Sequence, residues 1–415
     1  MKIIYNLSIF LASLLLPLIG FFNSKIKYGV IGRRKTFSKL KQHISKTDKT
    51  LWFHSASLGE YEQGLPVFSE IKKHYPNHKV ILTFFSPSGY QIRKNSPLAD
   101  CVVYLPLDSK RHAKTFLDLV HPDLTIFVKY DIWPNLLSAL KKRQGRAILI
   151  SALFRKEQLF FKPYGSFMRD ALFAFEHIFT QDEASKHLLH SINYNAVSIS
   201  GDTRFDRVSN QLKTDNSLDF IATFKNNQLC CVAGSTWPED EKLLVNYINT
   251  TAPSTVKFII APHNIKPNQI HQLKNSLKVN TVLYSEKDKV DLSTAQVFII
   301  DTIGILTKIY NYADMAYIGG AMGTTGLHNT LEAAVFGVPV IIGNNYEKFP
   351  EAKAMIKNQG MFAVKNQEEL NQILNKLTNN TAFREDSGQK NATYIHKNTG
   401  AIDLISKYLT SNTSN

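Results

Sequence analysis

Short apolar runs recur along nearly the whole chain, and stretches with helical spacing of apolar residues lie between them. LWFH (51–54), VILTF (80–84), CVVYLPL (101–107), LTIFV (124–128), AILIS (147–151), HIFT (177–180) and VSIS (197–200) form a first series of strands. Between them lie amphipathic segments such as EQGLPVFSEIKKHY and RHAKTFLDLV. Parallel strands need crossovers, and helices supply them, so this alternation demands a parallel sheet with helices on its faces. A polar segment, TRFDRVSNQLKTDNSLDF (203–220), breaks the rhythm and reads as a linker. The alternation resumes with LCCVAG (229–234), KFIIAP (257–262), TVLY (281–284), VFIID (297–301), DMAYIGG (314–320) and VPVIIG (338–343). The expectation is an α/β chain with two Rossmann-like domains in tandem, their strand ends facing a cleft where open sheets bind ligands. A length of 415 residues suits two cores.

Residues 3–22, IIYNLSIFLASLLLPLIGFF, stand apart from that pattern. At about 1.5 Å per residue they just cover a ~30 Å hydrocarbon layer. Lys25, Lys27, Arg33, Arg34, Lys35, Lys39 and Lys41 follow and concentrate part of the net charge of +15. A cleaved signal would have a shorter apolar core and a small-residue cleavage site, so the segment reads as an anchor. With the basic flank behind it, everything beyond residue 25 is expected in the cytoplasm, and the flank itself suits anionic head groups. Whether the anchor crosses the bilayer or lies on it stays open. The domain expectation is therefore an anchor at 1–24, a first domain at 25–210, a second at 211–395, and a C-terminal helix at 396–415 packing back on the first. Three cysteines, two of them adjacent in a strand, give no disulfide framework. No cysteine–histidine spacing suggests a zinc site.

Several strand ends carry chemistry. HSASLGEYEQG (54–64) runs from strand into helix as a phosphate cradle would, yet it places Glu60 and Glu62 where an anion is expected. In the second half, AGSTWPEDE (233–241) sets Ser235 and Thr236 before a helix; it suits a phosphate, and equally an ordinary helix cap. APHNIKP (261–267) brings His263 and Asn264 to another strand end, although Pro262 and Asn264 alone account for a turn. The most informative stretch is GGAMGTTGLHNTLEAAVFGVPVIIGNNYEKFPEA (319–352). Gly323, Thr324, Thr325 and Gly326 let backbone approach an anion at a helix start. His328 and Glu332, four residues apart, are expected on one helix face, where the carboxylate can accept hydrogen bonds from the hydroxyls of a ribose. An i,i+4 surface pair is the plainer alternative, but it leaves the flanking glycines unexplained.

WFHSASLGEYEQ, AGSTWPEDE, DTIGILTKIYNYADMAYIGGA, GLHNTLEAAVFGVPVIIG and NNYEKFPEA together resemble the 3-deoxy-D-manno-octulosonic acid (Kdo) transferases, from the anchor to about residue 395. The resemblance implies the GT-B architecture and metal-independent transfer of Kdo, with inversion, from CMP-Kdo to the lipid A precursor lipid IVA. It places the enzyme at the cytoplasmic side of the inner membrane and implies no cofactor. By resemblance, Glu60 is the general base that takes the acceptor's proton, with Ser57 and Gly59 shaping its turn. Ser235, Thr236, His263, Asn264, Thr325, Gly326, His328, Asn329 and Glu332 would bind the nucleotide sugar, and Arg204 would add positive charge. Glu62 reads as a plain helix-terminal acid. Asp301 and Asp314 read as a strand-end cap and a strand start. Many relatives have an acid where this chain has Ile305 in DTIGIL, so no charge acts there. Arg93, Lys94, Arg155 and Lys156 are candidates for lipid phosphates, and FRKEQLFFKPYGSF (154–167) is either an interfacial segment or a packed helix pair.

Two other readings compete. A glycosyltransferase using a nucleotide-diphosphate sugar would share the architecture but would want more cationic charge in the second-domain loop. A non-enzymatic, membrane-tethered binder of anionic lipid would rest on charge alone. Nucleic acid is not an expected partner, because no basic helix or aromatic–basic platform is present.

Overall fold

The structure, a computed structural model, describes residues 1–411; the end of the expected 396–415 segment lies outside the described residues. The chain divides into two compact units, Met1–Arg207 with Thr399 onward, and Val208–Asn398.

The first unit opens with three helices, α1 (Lys2–Ile19), α2 (Ser24–Arg34) and α3 (Thr36–His43). Its seven strands are β1 (Thr50–Ser55), β2 (Lys79–Phe84), β3 (Cys101–Tyr104), β4 (Leu124–Val128), β5 (Ala147–Ala152), β6 (His177–Thr180) and β7 (Val197–Ile199). They lie parallel in the order β3-β2-β1-β4-β5-β6-β7. Alternation along β1 shows why these runs are almost wholly apolar. Trp52 faces one layer, against Phe116 and Phe127, while Leu51 and Phe53 face the other, where Phe53 stacks on Phe68 of α4 (Leu58–His74). A sheet with helices on both faces buries every strand residue. Ile405 and Leu409 of the last helix, Ala401–Ser411, complete that second layer. Asp206 holds the start of this helix by accepting from the backbone N–H groups of Gly400 and Ala401.

The second unit contains β8 (Leu229–Thr236), β9 (Val256–Pro262), β10 (Thr281–Leu283), β11 (Val297–Ile299), β12 (Met315–Ile318), β13 (Val340–Gly343) and β14 (Met361–Val364). They too are parallel, in the order β10-β11-β9-β8-β12-β13-β14. Thirteen strands fall where the apolar runs predict them. β14, only MFAV, has no alternation or length to mark it, and its two middle residues are half exposed. The expected linker is a second departure. Thr203–Gln211 is a helix, since Phe205 and Val208 fall on one face and are buried, and the division between units falls inside it.

In each sheet the order reverses beside the first strand, between β1 and β4 and between β8 and β12. Such a switch point leaves a crevice at the carboxyl ends of the two strands, because the crossovers depart to opposite sides.

Candidate active site

At the first switch point, β1 ends in a turn held by Ala56, whose carbonyl accepts from the N–H groups of Phe85 and Ser86. Ser57 occupies the N-cap position of α4 in extended conformation but does not cap it. Its hydroxyl instead donates to Oε2 of Glu60, in the first turn of the helix. From the neighbouring strand end, Lys129 brings Nζ to 4.0 Å from Glu60 Oε1. Lys129 has φ 66°, a left-handed conformation costing an L-residue about 1–2 kcal/mol. Gly59 leaves the adjoining surface bare: a Cβ there would meet only Ser57 Oγ, at 3.9 Å.

A buried polar chain runs beneath this pair. The Trp52 indole donates to Thr83 Oγ1 at 2.8 Å, and Thr83 Oγ1 lies 2.8 Å from His54 Nδ1. His54 Nε2 is 2.5 Å from Asp131 Oδ2, which also accepts from Trp133 Nε1 at 3.1 Å. A ring nitrogen facing a carboxylate carries a proton, so Nε2 donates to Asp131, while Nδ1 pairs with the Thr83 hydroxyl, which also reaches Phe53 O at 3.3 Å. The chain fixes Asp131 two residues after Lys129 and so orients the loop that faces Glu60.

The two acids of the opening motif part ways. Glu62 Oε1 accepts from Arg93 at 2.6 and 3.2 Å, and Arg207 approaches Oε2 at 3.3 Å. It cross-links the helices and occupies Arg93, and it lies past the first turn of α4, where only Glu60 is placed to complement the helix terminus. Arg204 is gripped by Asp202, through Nε at 2.8 Å and Nη2 at 2.7 Å, and Gln63 also donates to Asp202.

At the second switch point, β8 ends in a register shift between Gly234 and Thr236. Ser235 there has φ 53°. Thr236 gives its hydroxyl to Glu241 at 2.9 Å, so neither residue caps the helix Pro238–Thr250, which begins after Trp237. Asp240 organises this end of the sheet. It is fully buried and accepts from Trp237 N at 2.9 Å, Gly320 N at 2.8 Å and the Tyr317 hydroxyl at 2.8 Å. Burial raises its carboxyl from the usual range, and the three donors pull it back.

The loop after β12 folds on itself, with His328 N bonded to Gly319 O and Thr325 Oγ1 to Gly320 O. Gly320, at φ 97°, packs against the Gly326 carbonyl, and a Cβ would collide with it. Gly326, at φ 99°, has open space around it. The helix begins only at Leu331 and lasts one turn, to Ala334. His328 and Glu332 therefore do not share a helix face as the four-residue spacing suggests; the backbone bond to Gly319 keeps His328 in the loop. Asn329 links the two, accepting from Leu331 N and donating to Glu332 Oε1 at 3.0 Å.

The loop residues meet a ring cluster. Trp237 stacks on His263 at 4.8 Å, and His263 lies 4.5 Å from His328. Trp237 Nε1 donates to His328 Nε2 at 3.0 Å, which requires that nitrogen unprotonated. Burial and then the neighbouring His263 push His328 down to about 4, and burial lowers His263. The cluster is flat and uncharged at neutral pH. Asn264 lines a small pocket beside it with Thr236, Glu241 and Pro262. Asp301 and Asp314 sit apart from it, accepting from Ser285 N and Cys230 N as strand-end residues. Ile305 precedes the short helix Leu306–Ile309. Among the described residues no group of three metal-ligating side chains converges.

Sequence reasoning named Glu60, Ser57, His263, Asn264, Asn329 and Glu332 as candidates; His54, Lys129, Asp131, Trp237 and Asp240, which the structure sets among them, it did not name. Lys129 and Asp131 close an apolar strand in VKYDIWPN, a legible signal once β4 is known to lie beside β1. Asp240 looks like any helix-terminal acid until its burial is seen.

Residues 31–207 match the family described as 3-deoxy-D-manno-octulosonic-acid transferase. Over 377 residues the chain is 26% identical to the transferase of that name from Haemophilus influenzae, covering 87% of this chain and 88% of the relative. It is 24% identical over 410 residues to that of Rickettsia bellii, covering 97% and 98%, and 27% identical over 345 residues to that of Aquifex aeolicus, covering 81% and 88%. Among solved structures, UDP-GlcNAc 2-epimerase from Neisseria meningitidis bound to UDP-GlcNAc is similar in fold, with TM-score 0.61 and 16% identity over 88% of this chain and 100% of that one. A glycosyltransferase from Rickettsia africae aligns with TM-score 0.55 and 12% identity over 89% and 100%. These neighbours share the two parallel-sheet units of the GT-B fold. With a family match across residues 31–207 and transferases of one name aligned at about 25% identity over most of the chain, the protein is similar to the Kdo transferases, which are glycosyltransferases.

Proposed function

We propose that the protein transfers Kdo from CMP-Kdo to lipid IVA at the cytoplasmic face of the inner membrane, with inversion and without a metal ion. Glu60 acts as the general base. As the acceptor hydroxyl oxygen bonds to the anomeric carbon, its proton passes to Glu60. The bond from that carbon to the phosphate oxygen breaks, and CMP leaves with the electron pair. A sugar hydroxyl is a weak nucleophile, and a positioned base contributes about 10²–10⁴-fold. The observation that carries this reading is the contrast between the two acids: Glu62 is held by two guanidinium groups, while Glu60 is oriented by Ser57 and, among the described residues, faces one cation, Lys129, at 4.0 Å.

The second unit handles the donor in this reading. Ser235 and Gly326 offer a hydroxyl and an N–H group to the phosphate, where preorganised donors stabilise the departing charge; Thr236 and Thr325 join them by exchanging their bonds to Glu241 and the Gly320 carbonyl for the ligand. His263, His328 and Asn264 lie beside the base, and Asn329 sets Glu332 toward the ribose. The test is release of CMP from CMP-Kdo and lipid IVA by purified protein with a chelator present, for wild type and Glu60→Ala. Turnover by the wild type and a fall of ~10²-fold or more in the variant support the assignment. Undiminished turnover in Glu60→Ala moves the base elsewhere, and no turnover with any Kdo acceptor rejects the substrate.

A further inference from the structure

Helix α1 is long and apolar enough to cross a membrane, with 18 residues of mean hydropathy 1.9. Its contacts tell a different story. Near its start, the Tyr5 hydroxyl donates to Asp108 Oδ2 at 2.7 Å, and Asn6 Oδ1 accepts from Asn135 Nδ2 at 2.9 Å. Asp108 is 3% exposed and also accepts from the N–H groups of Asn135 and Leu136, at the start of the helix Pro134–Lys142. The Tyr5 ring meets Phe167 at 5.4 Å. Near its end, α1 closes on α2 so tightly that a Cβ at Gly20 would stand 3.3 Å from Lys27 Cα.

Between those ends, Tyr5, Ile9, Ala12 and Leu16 are half-buried and Gly20 is buried. Spacings of three and four make them one helical stripe. The stripe runs the length of α1 and faces the first unit, beside a groove lined by Ile9, Phe10, Leu107, Lys110 and His112. A spanning helix would carry Tyr5 to the far side of the bilayer from the α2 end. Here both ends dock on the same body, whose Asp108, Lys110 and His112 cannot sit in hydrocarbon.

We propose that α1 lies in the plane of the membrane surface as a docked interfacial helix and does not cross. Its outward face carries Ile3, Leu7, Phe10, Leu14 and Leu18, and Phe22 follows just past its end, each more than half exposed. So large an apolar surface needs a cover, and charge identifies it. No Asp or Glu occurs before Asp48, and on α2 the exposed Tyr28 and Ile31 are set among exposed Lys27, Arg34 and Lys35. Apolar residues rimmed by lysine and arginine suit the boundary between anionic head groups and acyl chains. Arg33 is not part of this surface; it turns inward to the carbonyls of Phe85 and Leu105. The occupant is a bilayer surface carrying anionic lipid.

The inference concerns placement and does not depend on the donor or acceptor. Its test labels full-length Lys2→Cys and Lys142→Cys variants with a membrane-impermeant maleimide, in intact spheroplasts and in inverted vesicles. The three native cysteines are buried and give a low background. Labelling of both variants from the same side is expected. Labelling of Lys2→Cys from the side opposite Lys142→Cys overturns the proposal, because the helix then spans. Flotation with phosphatidylcholine vesicles, with and without phosphatidylglycerol, identifies the cover: at least tenfold stronger, salt-sensitive binding to the anionic vesicles is expected. A protein that stays off both vesicles as an oligomer has its apolar face covered by a second copy, and that also overturns the proposal.

Discussion

The two units place their polar residues at the same point of the same kind of sheet and fill it with opposite chemistry. At the β1/β4 crevice the side chains are ionisable and paired, Glu60 with Lys129 and His54 with Asp131. At the β8/β12 crevice neutral rings and folded backbone predominate, the carboxylates of Glu241 and Glu332 are held by neutral hydrogen-bond donors, and the buried Asp240 is enclosed by three donors. A sheet switch point supplies a crevice and nothing more. One crevice holds paired ionisable groups, and the other a stacked ring cluster beside the carboxylates of Glu241 and Glu332.

The sharpest test of this contrast compares the two acids of α4. Glu60→Gln is expected to lower kcat by ~10²-fold or more while costing less than about 1 kcal/mol of stability; steady-state kinetics beside urea unfolding will show the split. Loss of fold in place of activity would make the Glu60 pair structural. In the second unit the largest effect should come from Asp240→Ala. It strands the Gly320 N–H and the Tyr317 hydroxyl, and about 3 kcal/mol of stability should go with them, read as a lower urea midpoint. An unchanged midpoint would mean the loop after β12 needs no such anchor.

His54→Ala should reduce kcat about tenfold through a misplaced Asp131 loop, and His54→Gln, which keeps a donor, should recover part of it. An equal loss in both variants would assign the ring a packing role. A smaller effect separates the units by pH. His328 titrates near 4 when folded, against an ordinary 6.5. On acidification the unfolded chain therefore takes up the proton first, and this contribution to stability falls between about pH 6.5 and 4. Asp240 and Glu241, raised by burial, act in the opposite sense. The informative quantity is thus the difference between wild type and His328→Gln, in which the wild-type unfolding midpoint should fall relative to the variant's as pH drops from about 6.5 to 4. The smallest change is expected for Glu62→Gln: kcat within about twofold and roughly 0.5–1 kcal/mol of stability, because both arginine partners are partly exposed to water.

The sheets were legible because a doubly covered parallel sheet buries every residue of its strands, and such runs stand out between amphipathic helices. β14 was not, being four residues with a half-exposed middle. The order of strands was not legible either. β11 inserts between β9 and β10, and nothing in VFIID distinguishes an insertion from an edge. At the sites, single-residue chemistry could be read, as for Glu60, whereas partnership could not. Lys129 meets Glu60 only because β4 lies beside β1. The helical spacing of His328 and Glu332 misled because one backbone bond to Gly319 holds His328 outside the helix. The apolar N-terminal segment shows the same limit: length and hydropathy suggest a span, and Tyr5 and Asp108 argue otherwise only in three dimensions.

The helix Ala401–Ser411 has a consequence for how the protein is made. Ile405 and Leu409 belong to the core of the first unit, yet the whole of Val208–Asn398 is synthesised before them. At roughly 5–20 residues per second, α4 and its sheet wait on the order of 10–40 s with part of an apolar face uncovered. The first unit is thus completed only once the helix Ala401–Ser411 has been made. Until then its open face is a natural place for a chaperone to hold, and a message truncated before residue 399 would leave it open for good.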